Sequence, residues 1–202
     1  MARPGGPLRL GAVVLSGGTG ARMGGVDKAA LDLDGVTLLE RALAATGSAT
    51  EVVVVGQRVP TSRPVTWTVE EPPLGGPAAG LLAGLDRLVA GPLGPELVAV
   101  LAVDMPKVNS GTVARLTWAT EADPEVDGAV LVDPGGRRQP LAAVYRVTAL
   151  AAARPRDPDQ RHGLSVRRLI DGLRLVEVPT VGDEARDVDT WDDVRALRAP
   201  HD

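Results

Sequence analysis

Three short aliphatic runs constrain this chain more than any other feature. Leu10–Leu15 (LGAVVL), Glu51–Val55 (EVVVV) and Leu97–Val103 (LVAVLAV) are too short for core helices and stop at glycine-bearing turns or at an acid. Strands with no polar alternation are buried on both faces, as in a parallel sheet covered by helices on either side. Helical patterns lie between them. Thr37-Leu38-Leu39-Glu40 reads as a capping box opening a helix to about Ala45. The leucines of Ala78–Ala90 recur at helical spacing, and Thr112–Ala122 also reads as helix; Thr66–Val69 is a weaker strand. The alternation predicts one α/β domain over residues 1–202, a doubly wound and mostly parallel sheet.

The second half adds antiparallel pieces. Gly128–Asp133 and Pro140–Arg146 flank Pro134-Gly135-Gly136, which predicts two strands joined by a short turn. Val147–Ala153 and Leu164–Ile170 read as helices, Leu173–Val178 as a strand and Thr190–Arg198 as a last helix. Arg154–Gly163, polar and with two prolines, is expected to be a mobile surface loop. In sheets of this kind ligands bind at the carboxyl ends of the strands, near the reversal of strand order. The glycines after Leu15, Glu71 and Asp104 all follow predicted strands and are expected on one rim.

Composition narrows the chemistry. Aromatics are 2% of the chain and the net charge is −4, which argues against stacking platforms for single strands and against general phosphate-backbone binding. With no cysteine and two histidines, thiolate chemistry is excluded and a multi-histidine zinc site is not expected. The N-terminal MARPGGPLRLG lacks the apolar core of a signal peptide, and no apolar run approaches the roughly 20 residues of a membrane span. The expectation is a cytoplasmic protein with no nucleic-acid or membrane partner.

Leu15–Lys28 reads LSGGTGARMGGVDK. Glycines let backbone approach a ligand, successive N–H groups can form an anion nest, and Arg22 and Lys28 add charge suited to a triphosphate. Two common phosphate loops fail on spacing: no G-x-x-x-x-G-K-[ST] string exists, and a G-x-G-x-x-G fingerprint begun at Gly18 meets Met23 in its last place.

The form L-x-G-G-x-x-x-R-M-G-x-x-K resembles the signature of the nucleotidyltransferase superfamily, and RMGGVDKAAL is most similar to the molybdenum cofactor guanylyltransferase family. Further landmarks follow in the family's order. Gly75-Gly76-Pro77-Ala78-Ala79-Gly80 resembles its G-P-L-A-G loop, Val103-Asp104-Met105-Pro106 its D-x-P motif, and Gln139-Pro140-Leu141 its H-P-L segment. Asp187-Val188-Asp189-Thr190, with the acidic helix start after it, resembles the N-x-N-T-P-E-E ending.

The resemblance implies a nucleotide-diphospho-sugar transferase type of Rossmann-like fold, with an NTP-binding N-terminal half and an acceptor-binding C-terminal half. It assigns nucleotide contacts to Leu15, Ser16, Gly17, Gly18, Lys28, Gly56, Glu71, Gly76 and Asp104, and catalytic roles to Arg22, Lys28 and Asp104. Gly56 stands where the family often has Asn, so its contact is limited to backbone; Glu71 stands where Asp is usual, and ordinary loop solvation is its alternative. The implied cofactor is Mg2+, held by Asp104 and Asp189. Asp104 could instead cap the following turn, and Asp189 is equally readable as part of the cap of the last helix. Asp27, Asp32 and Asp34 read as surface charges and His162 as solvent-exposed.

The implied substrates are GTP and molybdopterin, with a molybdoenzyme or cofactor-delivery protein as possible partner. A phosphate monoester acceptor is largely dianionic at neutral pH and needs no general base, so alignment and charge neutralisation suffice. Arg137, Arg138, Gln139, Arg167 and Arg168 are acceptor-side candidates by charge and position, with solvated helix or turn surface as the alternative. Two other readings stay open: transfer to another acceptor or of another base, as in molybdopterin cytidylyltransferases or phospholactate guanylyltransferases, and a non-catalytic nucleotide sensor. Gly17-Gly18 favours the guanylyl branch, since the cytidylyl branch more often has A-A-G there.

Overall fold

The computed structural model describes residues 6, 8–17, 27–70, 75–91 and 94–198 of the 202. In chain order the elements are β1 (Leu10–Leu15), β2 (Asp32–Leu33), β3 (Val36–Thr37), α1 (Leu38–Ala45), β4 (Val52–Val55), β5 (Thr66–Thr68), α2 (Pro77–Val89), β6 (Leu97–Ala102), α3 (Ser110–Ala122), β7 (Gly128–Val132), β8 (Arg138–Arg146), α4 (Val147–Ala153), α5 (Val166–Leu169), β9 (Leu175–Pro179) and α6 (Trp191–Arg198). Seven strands form one sheet in the order β5-β4-β1-β6-β8-β7-β9. Every pairing is parallel except those of β8, which runs against both β6 and β7.

The aliphatic runs become the inner strands because helices cover both faces. Ala12 and Val14 point into a cluster with Leu38, Leu43, Val113 and Leu116, whereas Val13 and Leu15 point into the opposite one with Leu81, Leu85, Leu88 and Leu150. Gly84 lets α2 lie close to the sheet: a Cβ there would stand 2.5 Å from Val13 Cγ1 and 2.9 Å from Val55 Cγ2. Among the described residues no helix is long and apolar enough to cross a membrane.

Three local features differ from the sequence expectation. Asp32–Thr37 is a tight antiparallel hairpin, with Asp34 (φ 58°) and Gly35 (φ 82°) both in the positive-φ region that a type I′ turn demands. The box opening α1 is half formed: Thr37 Oγ1 accepts from Glu40 N at 3.2 Å, but the Glu40 carboxylate accepts from Ser62 N and Oγ instead of returning to the cap. Within Arg154–Gly163, a 3-10 turn spans Pro158–Arg161, Gly163 N donates to Gly75 O at 2.9 Å, and Arg154 pairs with Asp86.

From β1 the chain moves outward to β4 and β5, then returns to β6 on the other side of β1. The strands of this sheet that follow β1 and β6 in the chain therefore lie on opposite sides of that pair, the reversal of strand order at which such sheets form a ligand crevice outside their carboxyl ends. Val103 N still donates to Leu15 O at 3.1 Å there, so the turns after the two strands start side by side.

Candidate active site

The β1 end of the crevice is built from backbone. Ser16 N and Ser16 Oγ both donate to Val55 O, each at 3.0 Å, so the hydroxyl is committed to the end of β4. The Ser16 hydroxyl proton is thereby used within the protein, and the oxygen keeps only its capacity to accept. Gly56 makes this packing possible, because at φ 146° a Cβ would stand 2.3 Å from Ser16 Oγ and 3.2 Å from Gly17 N. Gly17 is exposed at the rim and Leu15 is buried beneath it. Gly18, Arg22 and Glu71 lie outside the described residues. Gly76 is the N-cap of α2, with Pro77 in the first turn.

Lys28 begins a 3-10 turn, Lys28–Ala30, capped by Asp27, whose carboxylate accepts from Ala29 N at 2.9 Å. Asp27 is thus exposed but structurally engaged; so is Asp32, which accepts from Gly35 N at 3.0 Å. Burial of Ala29 fixes the turn against the core and aims Lys28 inward. Its Nζ lies 2.7 Å from Asp189 Oδ1 and 3.5 Å from Asp104 Oδ2. The lysine side chain is 15% exposed, and the two carboxylates are 33% (Asp104) and 40% (Asp189) exposed.

Asp104 follows β6 by two residues, and burial pushes its carboxyl above the ordinary range. Lys28 pulls it back, while Asp189 and Asp187 add to the rise. Main chain ties the two acidic segments together, since Val188 N donates to Asp104 O at 2.8 Å. The choice left open for Asp189 is resolved as to capping: Thr190 Oγ1 accepts from Asp193 N at 3.2 Å, and the Asp193 carboxylate accepts from the backbone N of Asp189 and of Thr190. Thr190 and Asp193 supply the helix cap, and the Asp189 side chain faces Lys28.

Glu184, unremarked in the sequence, is buried nearby. It accepts from Thr112 Oγ1 (2.5 Å), Arg115 Nη2 (2.6 Å) and Val181 N (2.8 Å). Burial raises its carboxyl, and these three bonds more than offset that, leaving it below the ordinary range.

Of the acceptor-side candidates, Arg138 and Gln139 open β8, which runs against β6, so they lie at the same sheet end as Asp104. Arg138 Nε pairs with Glu177 at 2.7 Å, and Gln139 Nε2 donates to Asp133 Oδ2 at 3.2 Å. Arg137 is exposed in the preceding turn, whereas Arg167 and Arg168 are exposed on α5. His162 is exposed beside a separate cleft of about 580 Å³ along α2, lined by Val69, Gly75, Ala79, Arg87 and Arg161.

A lysine shared by two half-exposed carboxylates marks a place where a cation is stabilised. Among the described residues no group of three or more His, Cys, Asp or Glu could hold a metal ion. A pair of carboxylates nevertheless fits Mg2+, which takes one or two of them and completes its shell with phosphates and waters.

The family model described as "MobA-like NTP transferase domain" matches residues 12–178. A molybdenum cofactor guanylyltransferase from Acidiphilium cryptum is 32% identical over 205 residues, covering 98% of each chain. One from Rhodobacter capsulatus is 31% identical over 191 residues, covering 93% of this chain and 94% of its own. The crystal structure of molybdopterin-guanine dinucleotide biosynthesis protein A from Archaeoglobus fulgidus superposes with a TM-score of 0.67 at 21% identity, covering 93% of this chain and 96% of that one. This last likeness shows a shared fold.

Proposed function

The chain belongs to the MobA-like NTP transferase family, and from that membership we propose that it transfers GMP from GTP to the phosphate of molybdopterin, releasing pyrophosphate. The observation that carries the reading is the cluster of Lys28, Asp104 and Asp189 at the divergence of β1 and β6. Nucleotidyltransferases of this type use a divalent metal, and we assign Mg2+ to Asp104 and Asp189. Bound there, it would neutralise phosphate charge and polarise the reacting phosphorus.

The chain's own groups carry the remainder. Main chain at Leu15–Gly17 forms the wall against which the triphosphate lies. Lys28 leaves the carboxylates for the phosphates and offsets charge that develops on pyrophosphate. An oxygen of the dianionic acceptor phosphate attacks the α-phosphorus as the bond to the β-phosphate oxygen breaks. No proton has to move, so the exposed His162 has no part in the step. The acceptor enters from the C-terminal half, with Arg137 and Arg138 on its side of the rim.

Pyrophosphate release should be measured with GTP, CTP, ATP and UTP, each with and without molybdopterin. Release with GTP that requires molybdopterin is expected. Preferential use of CTP would sink the guanylyl assignment, and nucleotide binding without turnover would favour a sensor.

A further inference from the structure

Among the described residues Glu184 is the only charged residue that is buried, and no step of the transfer uses it. Its position closes a circuit. Asp104 leads through a turn, in which Val108 N donates to Met105 O at 3.2 Å, to Asn109, the N-cap of α3. The cap is reciprocal: Asn109 N donates to Thr112 Oγ1 at 3.2 Å, and Asn109 Oδ1 accepts from Gly111 N and Thr112 N. The same Thr112 hydroxyl then donates to Glu184. From Glu184 the chain runs to the buried Val188, whose N–H returns to Asp104 O. Both acidic segments are thus fastened twice, once by backbone beside the carboxylates and once by side chains on the first turn of α3.

We propose that Glu184 is the positioning residue for Asp189, fixing residues 181–190 to α3 so that the Asp189 carboxylate is held, with that of Asp104, around the Lys28 ammonium. The inference rests on the assignment of Asp189 as a metal ligand. Glu184 touches no substrate; it acts through the segment it anchors. Three donors converge on its two oxygens, from a hydroxyl, a guanidinium and a main-chain N–H. An amide in its place offers one acceptor oxygen for Arg115 and Val181, obliges the Thr112 hydroxyl to turn and accept from the amide nitrogen, and removes the charge that holds the guanidinium. Simple anchorage of the C-terminal region would affect stability alone. Positioning predicts an effect on cation affinity that depends on Asp189.

The test is a double-mutant cycle read by Mn2+ binding to the full-length, nucleotide-free protein, using electron paramagnetic resonance, with thermal unfolding as the control for folding. Glu184→Ala should weaken Mn2+ binding roughly tenfold, within the range for groups that orient metal ligands. Glu184→Gln, which keeps the volume and one acceptor, should lose affinity in the same direction but less, and it decides the matter if the alanine variant does not fold. In an Asp189→Asn background either change should alter Mn2+ affinity less than about twofold, because coupled residues are not additive. Glu184 variants that unfold earlier yet bind Mn2+ normally, or that weaken it equally with and without Asp189, would overturn the proposal. Asp189→Asn leaving Mn2+ affinity unchanged would instead refute the metal assignment of Asp189, and this inference with it.

Discussion

Lys28 neutralises two carboxylates that repel each other, so on the proposed assignment a divalent cation arriving at Asp104 and Asp189 has to displace it. Lys28→Met should therefore tighten Mn2+ binding in the absence of nucleotide, by about fivefold if the half-exposed ion pairs together contribute about 1 kcal/mol. The same substitution should weaken GTP binding. Asp104→Asn should lose most Mn2+ affinity while keeping the thermal unfolding midpoint. Tighter nucleotide-free Mn2+ binding by Lys28→Met, absent in Asp104→Asn, would identify the lysine as a competitor for the cation. Acidity adds a further reading: because burial raises the Asp104 carboxyl, protonation should begin to abolish Mn2+ uptake at a pH above the ordinary value of 3.8. With Mn2+ held well below its dissociation constant, so that the cation does not itself depress the midpoint, a midpoint at or below that value would show that Asp104 does not limit binding.

At the level of elements, legibility followed the range of the forces involved. Strands β1, β4 and β6 were readable because a run buried on both faces needs no polar positions, and α2 because its leucines repeat at helical spacing. The hairpin at Asp32–Thr37 was missed although Asp34-Gly35 is the local signal for it. Lys28 and Asp104 were legible as a cation in a glycine-rich loop and an acid at the end of an apolar strand, whereas Asp189 was reached only through motif resemblance, since no local pattern joins it to them. Whether the Asp189 side chain caps α6 or faces the site could not be read, because Asp is a common cap and only the placement of Thr190, Asp193 and Lys28 separates the two. Glu184 carries no local signal at all: Arg115 and Thr112, which account for its burial, are 69 and 72 residues away. The seat of α2 gives an element-scale prediction. Helix propensity favours Gly84→Ala by about 1 kcal/mol. Yet the added Cβ would press on Val13 and Val55, buried and stiffened by β-branching, and overpacking of this kind costs about 1–3 kcal/mol. Urea denaturation should show a net loss of stability; a gain would mean that α2 can lift off the sheet freely.

For the molecule as a whole, stability against acid combines carboxyls shifted in opposite directions. Glu184 is held below its ordinary value of 4.5, so its contribution is complete above that pH and is lost as pH falls through its lower folded value. Asp104 is raised, so acidification relieves the cost of its burial instead. The difference in unfolding midpoint between the wild-type protein and Glu184→Gln should accordingly be full at neutral pH and shrink below about pH 4.5; a constant difference would show that the charge of Glu184 is not what stabilises the fold. The bond between Lys28 and Asp189 spans 161 residues of chain. During synthesis, the glycine-rich segment, Lys28 and Asp104 are all made well before Glu184 and Asp189. On the proposed assignment, a chain stalled before Glu184 would carry one carboxylate of the cation site and the backbone proposed to face the triphosphate, without the second carboxylate. The cation site proposed for Asp104 and Asp189 is therefore completed only after the residues proposed to face the triphosphate have been made.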